Sequence, residues 1–223
     1  MKSNIHNNYQ YDKTIFEKTD FKENKIKNST FEECKFDNID FSESTFINCK
    51  FTDCHFTESN LSLCKFTNSR FENIKFENCK IIGINWTLLN WENVISPSPM
   101  SFKSCNISYS SFMSLKLRNL SIIECEIYEV DFTECDLYGT DFTKSDLNGS
   151  RFQNTNLENC NFSDAINYNI NPNENKIKGA KFSIPDVLSL LSSFKIHLNK
   201  LNIKPAINLI NQIIPIVNGV TIA

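Results

Sequence analysis

Three histidines, nine cysteines and 26 acidic residues are the side chains of this 223-residue chain that could do chemistry. A metal centre would need His and Cys at ligand spacing, and a nucleophile would need a base beside it. His6, His55 and His197 lie far apart, and none stands in a zinc spacing or beside a plausible Ser or Cys nucleophile. His55 directly follows Cys54, but adjacent side chains on an extended segment point opposite ways, so the pair is a poor chelate. The five glycines are scattered and form no phosphate-cradling loop. Paired carboxylates abound, yet they recur so regularly that they read as solvated turn residues rather than an acid and a base. No catalytic residue, metal or cofactor is therefore expected.

That regularity belongs to the elements that carry the side chains. A large apolar residue stands at every fifth position from Phe16 to Trp91, sixteen in succession, and again from Phe102 to Phe162, thirteen more. Five steps of ~100° cannot keep one helical face, and an odd period cannot keep one face of a flat strand. The backbone must turn within every repeat. The predicted form is a coil of very short extended segments joined by turns, with Asn, Asp, Ser, Thr and Lys outside. Two residues before each large apolar position an extended segment points inward again. All nine cysteines occupy that place, among Ser and Thr, and read as compact core fillers.

Segments such as Thr140-Asp141-Phe142-Thr143-Lys144 and Ser145-Asp146-Leu147-Asn148-Gly149 resemble the A(D/N)LXX unit of the pentapeptide-repeat family. The resemblance implies an all-β solenoid: a right-handed quadrilateral β-helix with four repeats per coil, so that residues twenty apart share a side. Phe16, Phe36, Phe56 and Phe76 would form one column, and Phe31, Phe51, Phe71 and Trp91 another. The expected organisation is an N-terminal arm (1–10), a repeat region (11–182, in blocks 11–95 and 102–166) and a C-terminal cap and tail (183–223). The step from Trp91 to Phe102 is one residue more than two repeats and contains Pro97 and Pro99, which predicts a phase break over 92–101. The rhythm lapses over 167–176. From Pro185 the chain reads as a helix whose Val187, Leu188, Leu191 and Phe194 cover the last coil. Ile207, Ile210 and Ile214 suit a second short helix, the alternative being a flexible or strand-forming end, and the resemblance to gyrase-interacting members implies a homodimer through this end.

Net charge is only −3, but residues 121–166 hold ten acids against Lys144 and Arg151. Glu124, Glu126, Glu129, Asp131, Glu134, Asp136, Asp141 and Asp146 form this acidic belt, in which the four aspartates should fall on four successive sides as a ring. Direct nucleic-acid binding is not expected of this belt, whose aspartates either support the turns as the consensus residue of the repeat or present charge to a protein partner. By resemblance to the quinolone-resistance type, that partner is DNA gyrase or topoisomerase IV, bound by a DNA mimic; the alternative is a scaffold with an unrelated partner. No stretch of 18 apolar residues and no secretory core in MKSNIHNNYQ point to a cytoplasmic chain with reduced cysteines and no membrane partner.

Overall fold

A computed structural model describes residues 5–18, 20–92 and 98–194. Extended segments of three residues, such as Lys25–Lys27, Thr45–Ile47 and Lys65–Thr67, each bury the middle side chain and expose or half-expose its neighbours. Every pairing is parallel. Phe31 lies against Phe51 and Phe51 against Phe71 on one side, Phe16 against Phe36 and Phe36 against Phe56 on the next, and Ile26 against Phe46 and Phe46 against Phe66 on another. The remaining side is held by single bridges, Asp20 to Asp40 to Asn60 to Lys80 and onward. The partners are twenty residues apart, so four repeats close one coil and successive coils stack ~4.8 Å apart.

The corner is made two residues after each large apolar residue. There the backbone takes the left-handed region, as at Asn28 (φ 52°), Asn48 (φ 53°), Asn68 (φ 51°) and Asn119 (φ 55°). Asn tolerates this conformation better than other side chains with a Cβ. Stacked asparagines at one corner add an amide ladder, in which Asn28 donates to Asn8 at 2.9 Å and Asn68 to Asn48 at 2.8 Å. Corner side chains also lean along the stack onto the next coil. Gly83 lies under Leu63, where a Cβ would come within 2.7 Å of the leucine Cδ2.

The residue before the large apolar position can tighten the bend that follows it. Where it is Asp or Asn, its side chain accepts the N–H two residues on: Asp40 from Ser42 at 2.8 Å, Asn106 from Ser108 at 3.0 Å, Asp141 from Thr143 at 2.9 Å. That side chain stands in for a strand contact and tightens the bend. Lys, Thr, His or Arg at that place lies in a strand in Lys35–Asp37, Thr45–Ile47, His55–Thr57 and Arg70–Glu72, but only in a single bridge at Lys80, Lys116 and Arg151.

Inside, the columns stack ring on ring. Phe36 and Phe56 have centroids 4.4 Å apart and planes within 10°, and each column meets the next edge to face, as Phe41 meets Phe46 at 5.5 Å. The small inward residues do more than fill space. The thiol or hydroxyl of most of them reaches the carbonyl of a large apolar residue one coil back: Cys64 to Phe41 at 2.9 Å, Ser145 to Ile122 at 2.9 Å, Thr155 to Phe132 at 2.8 Å. These carbonyls are buried, so Ser, Thr and Cys satisfy acceptors that water cannot reach.

Two expectations change. Phe102 pairs with Phe76, not with Ile81, so the coil across the interruption carries six extra residues where one was expected, and it is 26 residues long. The step from Trp91 to Phe102 is one ordinary repeat carrying six extra residues, and the columns keep their identity beyond it. At the C-terminal end, Asp186–Phe194 is a 3-10 helix with three residues per turn. That period turns Val187 and Leu190 inward, whereas Leu188 and Phe194 are 43% and 48% exposed and Leu191 is half-buried. A stripe that joins Val187 to Leu188, Leu191 and Phe194 needs 3.6 residues per turn; at three per turn the last three lie on a different face from Val187 and Leu190. Ile207, Ile210 and Ile214 lie outside the described residues.

Candidate partner-binding surface

The belt residues take two kinds of place. Asp131, Asp136, Asp141, Asp146 and Glu126 precede a large apolar residue, while Glu124, Glu129 and Glu134 sit at left-handed corners. The bridges put Asp131, Asp136, Asp141 and Asp146 in separate ladders, through Ser111, Lys116, Ser121 and Glu126 respectively, so the aspartates stand one to a side as a ring.

Much of that ring serves the fold. Each aspartate accepts the N–H two residues on: Thr133 to Asp131 at 3.0 Å, Tyr138 to Asp136 at 3.4 Å, Thr143 to Asp141 at 2.9 Å, Asn148 to Asp146 at 3.2 Å. Cations then neutralise three belt residues. Arg151 pairs with Asp131 at 2.9 Å, Arg118 with Asp136 at 2.7 Å and Lys144 with Glu124 at 3.1 Å. Desolvation pulls the Asp131 and Asp136 carboxyls upward, but hydrogen bonds from Thr133 and Arg151 at the first, and from Arg118 and Tyr138 at the second, outweigh it and hold both below the usual aspartate range. The Lys144 ammonium lowers Glu124 in the same way.

Five belt acids then have no cation partner among the described residues: Glu134 and Asp141, each alone on its side, and Glu126, Glu129 and Asp146, together on one. Glu126 and Asp146 are stacked neighbours on one side, Asn106 donates to Glu126 from the coil before, and Glu129 stands at the corner of the same side over Gly149. Among the described residues none of these three acids is ion-paired. Asp146 raises the phenol pKa of Tyr128 beside it, with desolvation and Glu126 adding to the effect. Tyr109, at the corner one coil before Glu129, is 60% exposed, and Met113 just beyond it is 45% exposed. Tyr109 and Met113 at outward positions were legible in the sequence from their place in the repeat, as Leu63 is at another corner. Burial cannot explain them.

The cysteines are all free and buried, and His55 lies 3.5 Å from Glu77. Among the described residues no group of three or more His, Cys, Asp or Glu is placed to hold a metal, and no helix is long and apolar enough to cross a membrane.

Fold and surface define a class first: a parallel β-solenoid of five-residue repeats whose outward side chains form flat, programmable sides. The family model for the pentapeptide repeat region matches residues 4–75, 31–95 and 98–162, and the chain belongs to the pentapeptide-repeat family. Among solved structures, the plasmid-mediated fluoroquinolone resistance protein QnrB1 is 21% identical, with 86% of this chain and 100% of that chain covered and a TM-score of 0.48. HetL, a pentapeptide repeat protein involved in heterocyst differentiation regulation in the cyanobacterium Nostoc, is 12% identical over 78% of this chain and 85% of that one, with a TM-score of 0.28. Rfr23 from the cyanobacterium Cyanothece is 11% identical over 80% and 86%, with a TM-score of 0.16. No curated protein sequence matches the chain significantly.

Proposed function

We propose that this protein is a non-enzymatic, cytoplasmic interaction solenoid whose acidic side occupies a basic DNA-binding surface of DNA gyrase or topoisomerase IV. The carrying observation is the unpaired trio Glu126, Glu129 and Asp146 on one side, next to exposed Tyr109. Stacking places carboxylates along that side at ~4.8 Å intervals, against one charge per ~1.7 Å of duplex DNA. Charge alone therefore makes a weak competitor for DNA, and the tyrosines and Met113 would supply the apolar contact that selects a protein partner.

The test is gyrase supercoiling, with and without a fluoroquinolone, while the protein is titrated. The proposal expects salt-sensitive inhibition or drug protection; neither effect at micromolar protein would overturn it. A homodimer through the C-terminal end belongs to the same reading. Sedimentation of the full chain beside a variant with Ile207, Ile210 and Ile214 changed to Asp should show the dimer lost, and a monomer in both would contradict it.

A second reading has its own support. Three belt residues are neutralised and four build turns, which is what a scaffold with an unrelated partner would need from its acids. No binding to gyrase or topoisomerase IV at micromolar protein, in low salt as in high, would favour that scaffold.

A further inference from the structure

Cysteine is the one small inward residue here that can also react, and its places are uneven. Cys79, Cys105 and Cys125 follow one another in a single inward column, because the next residues of each, Lys80, Asn106 and Glu126, are bridged in register. The Cys79 N–H meets the Cys105 sulfur at 3.4 Å, and the Cys105 N–H meets the Cys125 sulfur at 3.4 Å. These two contacts put Cys105 in the middle of the column. Parallel neighbours ~4.8 Å apart lie within the Cα separation of about 4.4–6.8 Å that a disulfide needs. Cys34 and Cys54 form a shorter ladder of the same kind. By contrast, Cys49 lies between Ser29 and Ser69, Cys64 beyond Ser44, Cys135 between Leu115 and Thr155, and Cys160 beyond Thr140, so these four have no cysteine neighbour in their columns.

We propose that Cys105 is an oxidation site of the folded chain, forming a disulfide with a stacked neighbour. With Cys79 that bond would staple the two coils that flank the six-residue insertion. The oxidant is a hydroperoxide. The Cys105 thiolate attacks the O–O bond, becoming a sulfenic acid as one water leaves. The neighbouring thiol then attacks the sulfenic sulfur; its proton and the sulfenic OH leave as a second water, and the S–S bond forms. Two thiols and one hydrogen peroxide give one disulfide and two waters; sulfur is oxidised and peroxide reduced. Hydrogen bonds from Cys125 and then Cys79 outweigh desolvation and lower the Cys105 pKa, which favours it as the attacking thiolate. Only 1% of Cys105 is exposed, so the oxidant enters through local opening and the reaction is slow.

The test treats the folded full-length chain with hydrogen peroxide over hours, unfolds it, alkylates free thiols and maps the peptides without reduction. The expected product links Cys105 to Cys79 or Cys125, leaves Cys49, Cys64, Cys135 and Cys160 alkylated, and reverts with dithiothreitol. The chain oxidised after unfolding in urea should instead give scrambled links. Where the link is to Cys79, Tm should rise by about 5 °C. Cys105→Ser, whose hydroxyl can still reach the Phe76 carbonyl, should abolish the link while leaving the Cys34 and Cys54 ladder unchanged. Cys105 remaining a free thiol, going on to a sulfonic acid without linkage, or pairing indiscriminately in the folded chain would each overturn the proposal.

Discussion

Ser145 shows how much one small side chain does in this core. Its hydroxyl donates to the Ile122 carbonyl at 2.9 Å and accepts from the Cys125 N–H at 3.0 Å, both buried. Ser145→Ala would orphan two backbone groups and cost ~1–3 kcal/mol, while Ser145→Cys should recover most of that, because cysteines do this work at Cys64 and Cys135. Denaturant midpoints distinguish the two; equal losses would show that volume, not hydrogen bonding, selects these residues. Phe142 and Lys144 contrast the two directions of the chain. Phe142→Asp would bury a charge between Phe162 and Phe132 and cost more than ~4 kcal/mol, whereas Lys144→Asp at an exposed corner should stay within about 1 kcal/mol. The inward column was legible from the five-residue spacing. The hydrogen bonds of its small residues were not, because spacing shows which way a side chain points and not which acceptor it meets.

At the scale of the repeat, the Asp or Asn that precedes a large apolar residue is a turn element, and its charge is separable from that work. Asp141→Asn should keep the turn and the stability, whereas Asp141→Ala should lose ~1 kcal/mol with the bond to Thr143; a thermal melt of both checks this. Acid should act through Asp131 and Asp136. Their carboxyls titrate below the usual value in the folded state, so their contribution is present above the unfolded pKa of ~3.9 and lost as pH falls through the lower folded values. Tm should therefore fall between about pH 5 and pH 2, and less steeply in Arg118→Ala/Arg151→Ala, which lacks the partners that lower those pKa values. The C-terminal helix teaches the complementary point. A stripe read at 3.6 residues per turn selected Leu188, but the three-residue turn buries Leu190, so Leu190→Ala should destabilise by ~1–2 kcal/mol and Leu188→Ala hardly at all. Apolar content announced a helix there; its pitch depends on packing against the last coil, which composition does not encode.

Across the whole molecule, the solenoid and its columns could be read from period alone, yet the register through the interruption could not. An eleven-residue step is equally two repeats and one residue or one repeat and six, and only the pairing of Phe76 with Phe102 decides. The same holds for the acidic belt. Position in the repeat placed one aspartate on each side, but the cations that cancel charge on three sides come from other coils, and their reach is a matter of side-chain geometry. The central claim is that charge on one side, rather than acidity at large, makes the binding surface. It is tested by gyrase supercoiling with two triple variants of equal charge change, Glu126→Gln/Glu129→Gln/Asp146→Asn and Asp131→Asn/Asp136→Asn/Asp141→Asn, each shown to fold by circular dichroism. The account predicts that the first loses inhibition by about tenfold or more and the second by less than about threefold; equal losses, or full inhibition by the first, would contradict it.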